Sequence, residues 1–276
     1  MLKDLLIYLP SYPRPVSRSA LRRAIDFARR MEAHATCIVG ETTVPPPVAF
    51  HPYGVDLETR LAERQREVHQ TARSELAAFE EEASRVGLAH EGRIVKSAYG
   101  EEDDQLLAAA RLHSLTVVPM PEDAEASADL VQTLVFEAGR PVLVLPEGGS
   151  ETFSLDDVVV AWDGTRAAAR AVADAMPLLE RAAKVRIVTV GRDKPLPEHG
   201  SAHDLATHLR RNGIKATAQE EERGSRSVGG ALDQAAGKAD LMVMGAFGHS
   251  RIRDFFLGGA TRHVLREPRR ATLLSH

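Results

Sequence analysis

The chain runs through strand-like and helix-like segments twice, in the same order each time, and this repeat constrains its fold more than any other feature. The first copy opens with "DLLIYLP" (Asp4–Pro10), a continuous apolar run suited to a strand buried on both faces. "SRSALRRAIDFARRMEAH" follows, with Leu21, Ile25, Ala28 and Met31 at helical spacing behind a serine start, and then the strand "ATCIVGE". The second copy repeats this as "DDVVVAWDG", "TRAAARAVADAMPLLERA" and "KVRIVTVG". The first half continues with a helix over 57–86, strand "HEGRIVKS", a helix near "EDDQLLAAARLH" and strand "LTVVPMP". It closes with helix "SADLVQTLVFEAG" and strand "RPVLVLPEG". The second half continues with "SAHDLATHLRRNG", "IKATAQEEE", "SVGGALDQAAGKA", "DLMVMGA", "GATRHVLRE" and "RATLLSH" in the matching roles.

Strands alternating with helices predict parallel sheets covered on both faces. The expected fold class is α/β, with two doubly wound domains, each a five-stranded parallel sheet. The length of 276 residues suits two domains, placed at 1–148 and 154–276. The boundary is "PEGGSETFS" (Pro146–Ser154), rich in Gly and Ser and free of apolar periodicity. The loop "VPPPVAFHPYGVD" (Val44–Asp56) is proline-rich and reads as a mobile or capping loop of the first half, with a proline-rich partner motif as the alternative.

No stretch is long and apolar enough to cross a bilayer, and "MLKDLLIYLP" reads as a first strand rather than a signal peptide. The single cysteine, Cys37, lies in an apolar run and reads as a buried strand residue. These features make cytoplasm the expected compartment, with no membrane partner. The net charge of −4 is unevenly spread. Residues 1–150 carry 16 basic against 23 acidic residues, and residues 151–276 carry 19 against 16. An anionic ligand therefore favours the second half. The basic excess is too small for a duplex nucleic-acid binder.

The least ordinary segment is "MGAFGHSRIRDFFLGGATRHVL" (Met244–Leu265). It follows "DLMVM", with Gly245 as the first residue outside that strand, at the carboxyl end where open α/β sheets bind ligands. Gly245 and Gly248 permit close backbone approach, and Gly258 and Gly259 precede a helix start, whose free N–H groups suit an anion such as phosphate. Arg251, Arg253 and Arg262 add positive charge. The plainer alternative is an ordinary loop with a solvated basic face. "AWDGT" (Ala161–Thr165) ends the first strand of the same half. Asp163 there can accept from a ribose or an adenine amine, or help place Mg²⁺. Alternatively, Asp163 or Thr165 simply caps the next helix.

These halves, with "VVVAWDGT" opening the second and "DLMVMGAFGHSRIRDFFLGGATRHVL" closing it, resemble the universal stress protein family in its tandem two-domain form. The family's ATP-binding members carry G-x2-G-x9-G-(S/T). Gly245, Gly248 and Gly258 match it, while Gly259 stands in place of the hydroxyl residue and Thr261 lies close by. The resemblance implies a nucleotide site in the second half. Asp163, with Gly164 and Thr165, would hold the adenine and ribose end, and Val190 would line the adenine pocket. Gly245, Gly248, His249, Ser250, Gly258 and Gly259 would surround the phosphates, with Met244 packed nearby. The implied ligand is ATP, with Mg²⁺, or a related adenine nucleotide, in a stress-response regulator. The resemblance also implies pairing of the two halves through their last strands, "RPVLVLPE" and "RATLLSH", and a homodimer is open.

The first half departs from this pattern. It has Ser11 or Tyr12 where the acid stands, Pro119 and Pro121 in place of glycines, and Glu122, Asp123 and Glu125 where phosphate would lie. It is expected not to bind a nucleotide. No G-x-S-x-G turn, no P-loop lysine and no zinc-enzyme histidine pair is present, so no catalytic or metal residue is assigned. His249 reads as a phosphate or solvent contact, and His263 and His276 carry no assigned role. The alternatives are a nucleotide-free interaction scaffold and a slow nucleotide hydrolase.

Overall fold

The computed structural model describes residues 2–43, 57–98, 104–120, 125–191, 200–246 and 259–276. The first half comprises β1 (Asp4–Pro10), α1 (Arg18–Arg30), β2 (His34–Thr43), α2 (Leu57–Arg85) and β3 (His90–Ala98). It continues with α3 (Asp104–Leu112), β4 (Leu115–Met120), α4 (Glu125–Glu137) and β5 (Val142–Pro146). The second half comprises β6 (Asp157–Ala161), α5 (Arg166–Leu179), β7 (Lys184–Val190), α6 (Ala202–Arg211) and β8 (Ala216–Glu221). It ends with α7 (Val228–Ala236), β9 (Leu241–Gly245), α8 (Gly259–Arg266) and β10 (Ala271–Ser275). The loop at 44–56 lies outside the described residues.

The two expected five-stranded sheets are halves of one ten-stranded sheet, in the order β3-β2-β1-β4-β5-β10-β9-β6-β7-β8. Strands pair in parallel within each half, and the halves join where β5 meets β10 antiparallel, with Leu143 opposite Leu273. These are the two last strands named from the sequence. Each would otherwise be an open apolar edge, and pairing them removes both.

Strand interiors are apolar without alternation because helices cover both faces. In β1, Leu5, Ile7 and Leu9 enter one core with α1 and α2, while Leu6 and Tyr8 enter the other with α3 and α4. Helices α5 and α6 extend the first layer, and α7 and α8 the second. Hydroxyl caps set the helix starts: Ser17 Oγ accepts from Ala20 N on α1, and Ser227 Oγ from Gly230 N on α7. Ser201 and Asp204 form a reciprocal capping box on α6. Among the described residues no helix is long and apolar enough to cross a membrane.

The segment read as a featureless linker is anchored. Phe153 is buried against Phe27 of α1, ring edge to face at 4.8 Å, and its N–H donates to Asp26 Oδ2 at 2.9 Å. Arg181 of the second half donates to the Arg30 carbonyl of the first. The two halves therefore share one continuous core on the α1, α2, α5 and α6 side.

One buried acid works against this core. Glu75 on α2 is 5% exposed, and its Oε2 has no hydrogen-bond partner. Burial pushes its pKa up, more than the attraction of Arg18 lowers it. A raised acid costs stability once the pH climbs past its unfolded value, because the unfolded chain then releases the proton first. Glu75→Leu is expected to stabilise the chain by about 1–2 kcal/mol at pH 7, with the gain shrinking near pH 4, measured by urea unfolding at both pH values.

Candidate functional site

Matching backbone bonds fix which positions of the two halves correspond. Ser114 N donates to Asp4 O and Asp240 N to Asp157 O, both at 2.9 Å. His34 N likewise donates to Lys3 O, and Lys184 N to Asp156 O. Tyr8 therefore corresponds to Ala161, Pro10 to Asp163 and Gly40 to Val190. The register puts Pro10, not Ser11 or Tyr12, opposite the acid.

In the second half, β6 lies between β9 and β7, and the connections leave to opposite faces on either side of it. This is the switch point at which doubly wound sheets open a crevice. Asp163 and Gly164 turn the chain out of β6, with Gly164 at φ 71°, a conformation that favours glycine. Thr165, not Asp163, caps α5: its Oγ1 accepts from Ala168 N at 3.2 Å. Asp163 Oδ1 accepts from Thr165 Oγ1 at 2.7 Å and from Thr165 N at 3.0 Å. The carboxylate is thus fixed by the cap, half-buried at the mouth of the crevice. Thr189 Oγ1 donates to Trp162 O at 3.0 Å and ties the adjacent end of β7 to the same turn.

Gly245 is the last residue of β9, paired with Ser275, rather than the first outside it. A Cβ there would stand 2.5–2.8 Å from the Ala167 carbonyl group on α5 and would also collide with Ala168 N. Its lack of a side chain seats α5 against the strand end, a packing role that the sequence alone did not distinguish from ligand approach. Met244 is buried on the opposite face with Met242, Val264 and Leu265. Gly259 opens α8 with nothing within 4 Å of a notional Cβ, while Thr261 is 2% exposed within the helix. Val190 is buried at the end of β7. Ala161 and Ala260 both pack between the α4–α8 cluster and the α7 cluster. The structure thus packs Ala161, Val190 and Ala260 against one cluster, with Asp163 and Thr165 in the turn that follows β6. Gly248, His249, Ser250, Arg251, Arg253 and Gly258 lie outside the described residues.

The first half fills the same place. The Tyr8 ring lies over Gly40, where a Cβ would be 3.0–3.2 Å from two ring carbons and in collision with the hydroxyl. Where the second half has Ala161 beside Val190, the first has a tyrosine seated on a glycine. Ser11 is buried, and its Oγ donates to Gly40 O at 2.6 Å, closing the turn further. Pro119 lies within β4, Pro121, Glu122 and Asp123 lie outside the described residues, and Glu125 opens α4.

The sequence reading missed an ionic cluster behind α8. Asp233 on α7, 8% exposed, receives His263 Nε2 at 2.7 Å and the Arg270 guanidinium, with Arg269 at 3.7 Å. The His263 side chain packs on Gly229, where a Cβ would lie 2.7–2.8 Å from ring carbons and 2.5 Å from His263 Cβ. The Gly229–Gly230 pair was the available signal, since adjacent glycines in a helix need a packing reason. This cluster holds α8 on α7 and thereby positions the helix end that faces the crevice.

The model of the universal stress protein family matches residues 155–274. The second half of the chain belongs to that family. A universal stress protein from Archaeoglobus fulgidus DSM 4304 superposes with a TM-score of 0.70 at 16% identity, over 98% of this chain and 95% of that one. A functionally unknown protein from Pseudomonas aeruginosa PAO1 superposes with a TM-score of 0.54 at 14% identity, over 99% of this chain and 92% of that one. At these identities the likeness carries the fold, and it does so for both halves. No curated protein matches the chain. The family match covers the half with Ala161 at this position, and the half with Tyr8 there lies outside it.

Proposed function

We propose that the second half binds an adenine nucleotide, ATP or a relative with Mg²⁺, and that the chain acts as a cytoplasmic stress-response regulator rather than a metabolic enzyme. The observation that carries this is the contrast between the halves at one position. The second half has the small side chain of Ala161 packed against the Val190 cluster, whereas the first has the Tyr8 ring over Gly40. A flat, largely apolar base suits a floor of Ala161, Val190 and Ala260. Asp163, held by the Thr165 cap, suits the polar edge of a base or ribose. The first turn of α8, at the positive end of that helix's dipole, suits phosphate, and Gly259 presents no side chain there. Burial of Thr261 makes it a packing residue and leaves the phosphate contacts to backbone and loop.

Nucleotide release and rebinding test this reading. The purified chain is denatured, any released nucleotide is identified by mass, and the apo chain is titrated with ATP and Mg²⁺ by calorimetry. One site per chain is expected, lost in Gly248→Val. Absence of both nucleotide and heat would leave a nucleotide-free interaction scaffold. Phosphate release above a protein-free blank, absent in Asp163→Ala, would instead mark a slow hydrolase.

A further inference from the structure

A second cleft lies at the other end of the sheet, where the linker crosses the amino ends of β6, β9 and β10. Its volume is about 500 Å³, within the range of small-molecule sites. Both halves and the linker build it: Arg23 comes from α1, Gly148–Ser150 from the linker, and Lys238, Arg269 and Arg270 from the turns before β9 and β10. Four cationic side chains face it, against two carboxylates, Asp156 and Asp240.

Arg269 pairs with Glu267 at 2.9 Å and Arg270 with Asp233, whereas Arg23 and Lys238 form no ion pair among the described residues. Arg23 makes a single long contact, Nη1 to Gly148 O at 3.5 Å, and its buried Nε has no partner. Burial lowers its pKa, and the attraction of Asp240 does not restore it. Asp240 is itself engaged, accepting from Asp157 N at 2.9 Å. Arg270 is 8% exposed and uses Nη1 and Nη2 on Asp233 and Gly237, leaving Nε buried without an acceptor. Lys238 is exposed and forms no ion pair among the described residues. The N–H groups of Gly148, Gly149 and Ser150 reach no protein acceptor. A concave site with two unpaired cations, two buried guanidinium Nε groups without acceptors and unused backbone donors is complementary to a compact, multiply charged oxyanion.

We propose that this cleft binds a small phosphate-bearing anion, held by Arg23, Lys238, Arg269 and Arg270 and by the linker backbone. An anion bound there bridges α1 of the first half, the linker and the second half, so its occupancy stiffens the junction between the halves. The site is separate from the crevice of the nucleotide reading and stands whether or not that reading holds.

Pyrophosphate is the probe, titrated by calorimetry into the full chain and into Lys238→Glu and Arg269→Glu. Both positions are exposed, and circular dichroism melts confirm that the variants fold. The expected result is binding to the wild-type chain with a Kd that rises at least about tenfold in each variant. No heat in the wild-type chain at millimolar pyrophosphate overturns the proposal. Affinity within about twofold of wild type in both variants also overturns it, since pyrophosphate would then sit elsewhere, for instance at the first turn of α8.

Discussion

The Ala161→Tyr, Val190→Gly double variant is expected to fold and to bind no adenine nucleotide. It transplants the Tyr8–Gly40 pair of the first half into the matching positions of the second. Both positions have the same register and face the same layer in each half, so the ring has a seat that the fold already tolerates once. Tyr8 fills that seat with little exposure. The loss of affinity is expected to reach at least about a hundredfold, because the ring would take the volume proposed for the base. Calorimetry with ATP and Mg²⁺ reads it, beside a thermal melt. Binding at wild-type affinity in a well-folded double variant would move the base away from Ala161 and sink the reading. The single Ala161→Tyr variant is a poorer test, since Val190 retains the side chain that Gly40 lacks and the overpacking would itself destabilise the fold.

The repeat made the architecture legible. Ten strand segments along the chain can be anticipated because apolar runs and capping serines record buried strands and helix starts directly, while the pairing of "RPVLVLPE" with "RATLLSH" is what the family resemblance implies. Packing that depends on tertiary register could not be read in the same way. Gly245 looked like a ligand-facing glycine, yet the first turn of α5 occupies the place of its missing side chain, a contact between segments almost eighty residues apart. Thr165 and Asp163 were equal candidates for the cap, and only the hydrogen-bond geometry separates them. Phe153 sat in a Gly- and Ser-rich stretch without periodicity, so nothing local marked it as the pin between the halves. For the first half, missing glycines and added acids argue against a nucleotide site. The described residues add a physical feature of that half, a tyrosine seated on a glycine of the next strand.

Asp233→Ala is expected to destabilise the chain by about 3–5 kcal/mol, the cost of stranding a buried charge whose partner has been removed. Arg270 is 8% exposed and cannot turn its guanidinium to water without leaving the foot of β10. Its remaining acceptors would be backbone carbonyls at the end of α7, Asp233 O at 3.4 Å in this structure, and just after it, Gly237 O at 3.1 Å, which offer hydrogen bonds but no counter-charge. His263 would lose its partner at 2.7 Å, although its ring would still rest on Gly229. A chain of this length should melt roughly 10 °C lower as a result. His263→Ala removes a half-exposed partner and leaves the Asp233–Arg270 pair intact, so its effect should stay near 1 kcal/mol. Urea unfolding of the two variants separates these costs, and equal effects would contradict the central role of the buried pair. The same comparison bears on function. Helix α8 packs on α7 through this cluster, so Asp233→Ala should also loosen the helix end facing the crevice and weaken nucleotide binding at temperatures where the variant is still folded. Amide exchange across α8 that stays at the wild-type rate in folded Asp233→Ala would show that the cluster supports stability alone.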